Sequence, residues 1–175
     1  MIVVAFVGGL AGDLITAVID SNSCVVTTLG KVQMPFYRKT LKRGVLTTIE
    51  EKDAFITDIS KQYRSIPSHE VEYHVQRNHI TISIDVRDKE LYKFAAERFI
   101  LLNEPNLANT LFGVNTAIEL APILINMNER NLKLATNVLY FDDILDGKLI
   151  EKLEPICSNL DVDFYDKWLK HWGNR

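Results

Sequence analysis

Cysteine is almost missing from this chain. Cys24 and Cys157 are the two present in 175 residues. They stand far apart, with no C-x-x-C pair and no partner at metal-ligand spacing. That excludes a disulfide-stapled mini-protein and supports neither a zinc site nor a redox motif. Both read as buried thiols in a reducing compartment. Glycine (8) and proline (5) are also sparse, against a collagen-like chain. Neither sign of charge dominates: 20 Lys+Arg against 23 Asp+Glu give a net −3. Whole-molecule attraction to nucleic acid or to an anionic membrane is therefore not expected, although a local basic patch can still bind phosphate. No stretch approaches the roughly 18–20 apolar residues that span a bilayer. The apolar start, Ile2 to Val7, lacks the basic flank and small-residue cleavage site of a secretory signal. The expected location is the cytoplasm.

What is present is a globular composition, 47% hydrophobic and 25% charged, enough for a single domain over residues 1–175. Ile2 to Val7 is a continuous, β-branched run, the pattern of a strand covered on both faces. Gly8-Gly9 end it, and Ala11 to Asp20 has helical spacing of Leu14, Ile15, Val18 and Ile19. Cys24 to Thr28 reads as a second strand. Gly30 to Gly44 is irregular and locally basic. Thr47 with Glu50, and Thr48 with Glu51, both fit a capping box opening a helix that runs to about Tyr63 and ends before Pro67. Alternation suggests a short strand over Glu70 to His74, and predicts a firm one over Ile80 to Asp85. Asp88 then caps a helix carrying Leu91, Phe94, Ala95, Phe99 and Leu102. Two weaker helical stretches fill 103–134, divided near Gly113 or Pro122, with a polar turn from Asn126 to Asn131. A last strand follows at Asn137 to Phe141. Leu149 to Leu160 and Tyr165 to Trp172 are helical stripes. Strands alternating with helices imply parallel crossovers and a three-layer α/β sandwich with a mostly parallel sheet.

Three blocks together resemble the P-loop sulfotransferase family, which shares its core with nucleotide kinases. The first is the strand followed by Gly8-Gly9-Leu10-Ala11-Gly12-Asp13 and a helix. The second is Pro67-Ser68-His69, then the strand Ile80 to Asp85, Val86-Arg87-Asp88 and a helix ending Ala96-Glu97-Arg98-Phe99. It is similar to the family's P-K-T-H element, strand and R-N-P-x-D. The third, Leu139-Tyr140-Phe141-Asp142-Asp143-Ile144-Leu145, resembles its Y-E-D-L strand end. The resemblance implies a P-loop NTPase-like fold, a sulfotransferase-like activity and a 3′-phosphoadenosine 5′-phosphosulfate donor, with no metal. Gly8, Gly9, Gly12, Asp13 and Arg87 would bind that donor, and His69 would act as the base toward an unspecified acceptor. Small members of this kind also occur in viruses, which fits the short chain.

The chemistry departs from that pattern in places. A phosphate at such a turn is held by backbone N–H groups and the helix dipole, and glycines let the backbone approach it. Leu10 stands where the family has Lys, and Asp13 and Leu14 stand at its two hydroxyl positions. A carboxylate there caps the helix and repels a second anion. The alternative for Gly8-Gly9 is a plain tight turn, and for Arg87, two places past the family register, a surface residue. His74 and His79 read as exposed strand-end histidines, and His171 as structural. Arg38, Lys39, Lys42 and Arg43 form the one basic cluster, either closing over a phosphorylated ligand or making a solvated helix face. Asp142-Asp143 either hold magnesium or cap the following turn; the capping role fits the resemblance better. Tyr165, Trp168, Leu169 and Trp172 read as core or partner surface. A non-catalytic binding or assembly module, favoured by the absent Lys, is the competing function. A nucleotide kinase is the least supported, for want of a Walker lysine.

Overall fold

The computed structural model describes residues 1–103 and 106–172. In chain order they form β1 (Ile2–Ala5), α1 (Gly12–Ile19), β2 (Val25–Val26) and β3 (Val32–Gln33). The 3-10 turns Tyr37–Lys39 and Leu41–Arg43 come next, then α2 (Ile49–Ile59), β4 (Ser65–Ser68), α3 (Val71–Val75) and β5 (Ile80–Asp85). The remainder is α4 (Leu91–Leu102), α5 (Leu107–Phe112), α6 (Ala117–Leu134), β6 (Asn137–Tyr140), α7 (Phe141–Leu145), α8 (Leu149–Leu153) and α9 (Val162–Trp172).

The main sheet has the order β4-β1-β5-β6 and is parallel throughout; β2 and β3 make a separate antiparallel hairpin. β1 is central, with Val4 opposite Pro67 on one side and Ile82 on the other. Val3 and Val4 are both fully buried yet belong to separate apolar clusters. Successive strand residues point to opposite faces, so the sheet is covered on both, and the run needs no polar alternation. α1 is apolar on nearly every side because β1, β4, β3 and α9 all pack on it. α6 buries a single stripe, Leu120, Leu124, Asn128 and Asn131.

Several boundaries differ from the sequence pattern. Glu70 to His74 is not a strand. The strand is Ser65–Ser68, and α3 follows it. Pro67 lies inside β4, which works because β4 is an edge strand and a missing N–H costs least there. Cys24 to Thr28 contributes only the two paired residues of β2. α2 does open on the capping box of Thr48 and Glu51, but it stops at Ile59. The polar segment Asn126 to Asn131 continues α6 instead of turning, and Pro122 is tolerated within that helix. The stripe from Leu149 is helical only to Leu153. Asp88 accepts the Glu90 amide but does not cap α4, which starts at Leu91 after Glu90. Positions 104, 105 and 173–175, spanned by the helical and single-domain expectations, lie outside the described residues. No helix among the described residues is long and apolar enough to cross a membrane.

Candidate functional site

A parallel sheet puts all its strand carboxyl ends on one edge, where ligands of open α/β sheets bind. Here β1 runs out into Gly8-Gly9, β4 into His69, β5 into Arg87, and β6 into Asp142-Asp143. The glycines, His69 and Arg87 therefore share an edge.

The glycine turn is packed against the chain itself. Gly9 has φ +85°, and a Cβ there would lie 1.9 Å from the Ala95 carbonyl oxygen of α4. A Cβ on Gly8 would lie 2.2 Å from the Phe99 ring, and one on Gly12 1.9 Å from the Phe6 ring. These glycines admit α4 and Phe6 to close contact. α1 then begins behind Ala11, which is left-handed (φ 61°) and gives no side-chain cap.

Asp13 does not cap either. Its two carboxylate oxygens accept from Lys42 Nζ at 2.9 and 2.8 Å, and both side chains are about three-quarters buried. The same ammonium lies 4.7 Å from the Phe6 ring centroid. Lys42 thus brings a cation to the start of α1, and Asp13 neutralises it. The rest of the basic cluster disperses. Arg38 is wholly buried, and Arg43 stacks on Phe36 at 3.7 Å. Partial burial lowers the pKa of Lys39.

His69 places Nδ1 2.8 Å from the Phe6 carbonyl oxygen, with the two rings 5.5 Å apart. A carbonyl only accepts, so Nδ1 carries the proton and Nε2 keeps its lone pair. Burial of the ring, and then the Lys42 charge, hold its pKa below the ordinary histidine value; the Phe6 bond, Asp13 and Glu70 partly offset them. The residue nevertheless keeps surface in solvent. The hydrogen bond to Phe6 leaves Nε2 as the acceptor nitrogen of the ring.

Arg87 is differently engaged. Its guanidinium makes a two-pronged pair with Asp143, 2.9 and 2.8 Å, over the Tyr140 ring at 3.9 Å. Its backbone N–H donates to Asp142 at 2.9 Å. The Arg87 hydrogen bonds hold the Asp143 carboxyl below its usual range. Asp142 and Asp143 thus fasten the end of β5 to the start of α7. No group of three or more His, Cys, Asp or Glu among the described residues could hold a metal ion.

Two features escaped the sequence patterns. Arg98, read only as a helix end, is 4% exposed and donates to the Gly9 carbonyl oxygen at 2.5 Å. It lies against Phe141, Trp168 and Trp172. Burial draws its pKa down to about 9. The signal was an arginine on the same helical face as Leu91 and Ala95. His79 does stand just before the start of β5 but is half-buried, and His74 lies in α3, fully buried, 3.0 Å from Ser68 Oγ and 3.0 Å from His79 Nδ1. By distance this is a serine–histidine–histidine line. Ser68 is also fully buried, however, and its oxygen already accepts the Glu70 N–H. Burial first, then the His79, Arg77 and Lys52 charges, push the His74 pKa down to about 3, so it takes no proton at neutral pH. A groove of about 610 Å³ lies elsewhere, lined by Val18 to Asn22, Arg64 and Asn159 to Asp161.

Compared with models of known protein families, with curated proteins and with solved structures, the chain gives no match.

Proposed function

We propose that the carboxyl edge of the sheet is a group-transfer site of the sulfotransferase type on a P-loop-like domain. His69 is the base and Lys42 the cation that meets an adenosine 3′,5′-phosphate donor. The observation that carries this reading is the His69 hydrogen bond to Phe6, which fixes the tautomer with Nε2 as acceptor. In the transfer an acceptor hydroxyl gives its proton to Nε2 and its oxygen forms a new bond to sulfur. The sulfur–oxygen bond to the donor phosphate breaks, and adenosine 3′,5′-bisphosphate leaves. Positioning and charge stabilisation supply the catalysis. Gly8, Gly9 and Gly12 act indirectly, by letting α4 and Phe6 shape the turn. Arg87 braces the edge from the β6 side.

A second reading, a binding or assembly module without catalysis, is favoured by the Asp13–Lys42 pair, which fills the cation's coordination from within the chain. Calorimetric titration with adenosine 3′,5′-bisphosphate, together with a sulfuryl-transfer assay, separates the two. Under the first reading His69→Ala keeps bisphosphate affinity and loses transfer by about 10²–10⁴-fold, while Lys42→Ala weakens binding first. Asp13→Thr frees Lys42 and tightens the bisphosphate. Bisphosphate binding with no transfer selects the module. No binding to the wild type or to Asp13→Thr removes the donor site altogether.

A further inference from the structure

We infer that His74 and His79 form an acid-sensitive latch that holds α3 against the sheet and, with it, the turn that carries His69. The two Nδ1 atoms are 3.0 Å apart. Such a contact holds a single proton, a donor on one ring and a lone pair on the other. The other nitrogen of His74 meets Ser68 Oγ, at the end of β4, and Ser68 Oγ also accepts the Glu70 N–H. The His79 N–H donates to the His74 carbonyl at 3.1 Å, just before β5 begins. The line therefore runs from the end of β4 across α3 to the start of β5, and His69 lies inside it.

The surroundings leave little room for added positive charge. Lys52 of α2, Arg77 and the amino group of Met1 all act on His74 as cations. The nearby carboxylates are already committed. Asp53 takes Arg77 and the Tyr73 hydroxyl, Glu70 takes Lys52, and Glu72 takes Arg130 of α6. One extra proton fits on the far nitrogen of His79. A second turns both Nδ1 atoms into donors facing each other, and the contact is lost.

The direction with pH follows. Both histidines have lowered pKa values in the closed fold, His74 to about 3. The opened segment binds more protons below about pH 6.5, the free histidine value. The closed state is fully favoured above that pH and loses up to about tenfold per pH unit per histidine below it. The inference concerns the order of the turn and not its chemistry, so it stands or falls apart from the reading above.

Amide hydrogen exchange on the full chain between pH 7.5 and 5, converted to protection factors, tests the latch. Protection of α3 is expected to fall about tenfold per pH unit below about pH 6.5, while β1 and β5 stay protected. In His79→Gln the amide can turn its oxygen to a protonated His74, so the fall becomes shallower. Protection of α3 that is flat with pH, that falls in step with β1 and β5, or that has the same slope in His79→Gln overturns the latch. If His79→Gln does not fold, the wild-type imidazole nitrogen shifts decide. A His74 ring that stays neutral until the α3 signals are lost supports the latch, and one that titrates near 6.5 while α3 remains protected overturns it.

Discussion

Arg38 and Arg98 are both buried arginines, and they are held in opposite ways. Arg38, with no exposed surface, donates to the carbonyls of Ser65, Asp20 and Thr16 at 3.0, 2.6 and 3.1 Å, and to Ser65 Oγ at 2.9 Å. It also approaches the Cys24 sulfur, the Tyr63 ring and the Asp20 carboxylate. One guanidinium thus closes the end of α1, the start of β4 and the approach to the hairpin. Among the described residues Arg98 has one hydrogen bond, to Gly9, and its buried Nε has no partner. Three aromatic rings, Phe141, Trp168 and Trp172, surround its guanidinium. Burial of a charge is costly unless it is paired and hydrogen-bonded. The contrast therefore separates an arginine that stabilises the fold from one whose charge the fold tolerates.

The largest effect is expected at Arg38. Arg38→Met leaves buried carbonyls without donors and should lower stability by about 3–5 kcal/mol in urea unfolding. A loss under about 1 kcal/mol would erase the contrast. Gly9→Ala comes next and probes the turn that Arg98 supports. Its φ of +85° and the Ala95 carbonyl leave no room for a Cβ, so the expected loss is about 2–4 kcal/mol. A smaller loss would mean that α4 can move off the turn. Arg98→Met is the mildest. Removing an uncompensated buried charge offsets the orphaned Gly9 carbonyl, and stability should stay within about 1 kcal/mol of wild type. A loss as large as that of Arg38→Met would show that the aromatic faces do the work of acceptors.

The covered strand at Ile2, the helix behind the glycines, the Thr48 capping box and the strand at Ile80 were all legible, because local periodicity and caps are written within a few residues. Glu70 to His74 misled because a five-residue segment alternates by chance as easily as by design. The helix instead turns His74 to Ser68 on one side and His79 on the other. That His69 shares an edge with Gly8 and Gly9 depends on β4 ending at Ser68, whereas the sequence pattern places a strand over Glu70 to His74. The partners that decide what those residues can do were no more legible. Lys42 reaches Asp13 across 29 positions, Arg87 reaches Asp143 across 56, and Arg98 reaches Gly9 across 89. No local spacing rule reports such contacts.

The central place of β1 also affects how the chain is made. Ile2 pairs with Ser65 on one side and Ile80 on the other. Both edges of β1 are thus sheltered only after some eighty further residues have followed it from the ribosome, roughly 4–16 s at synthesis rates of about 5–20 residues per second. During that interval an apolar, β-branched segment is exposed with both hydrogen-bonding edges open. Its early neighbour is α1, which is itself apolar on nearly all sides. The nascent chain passes through a sticky phase set by topology alone, and slower elongation through residues 20–85 would prolong it.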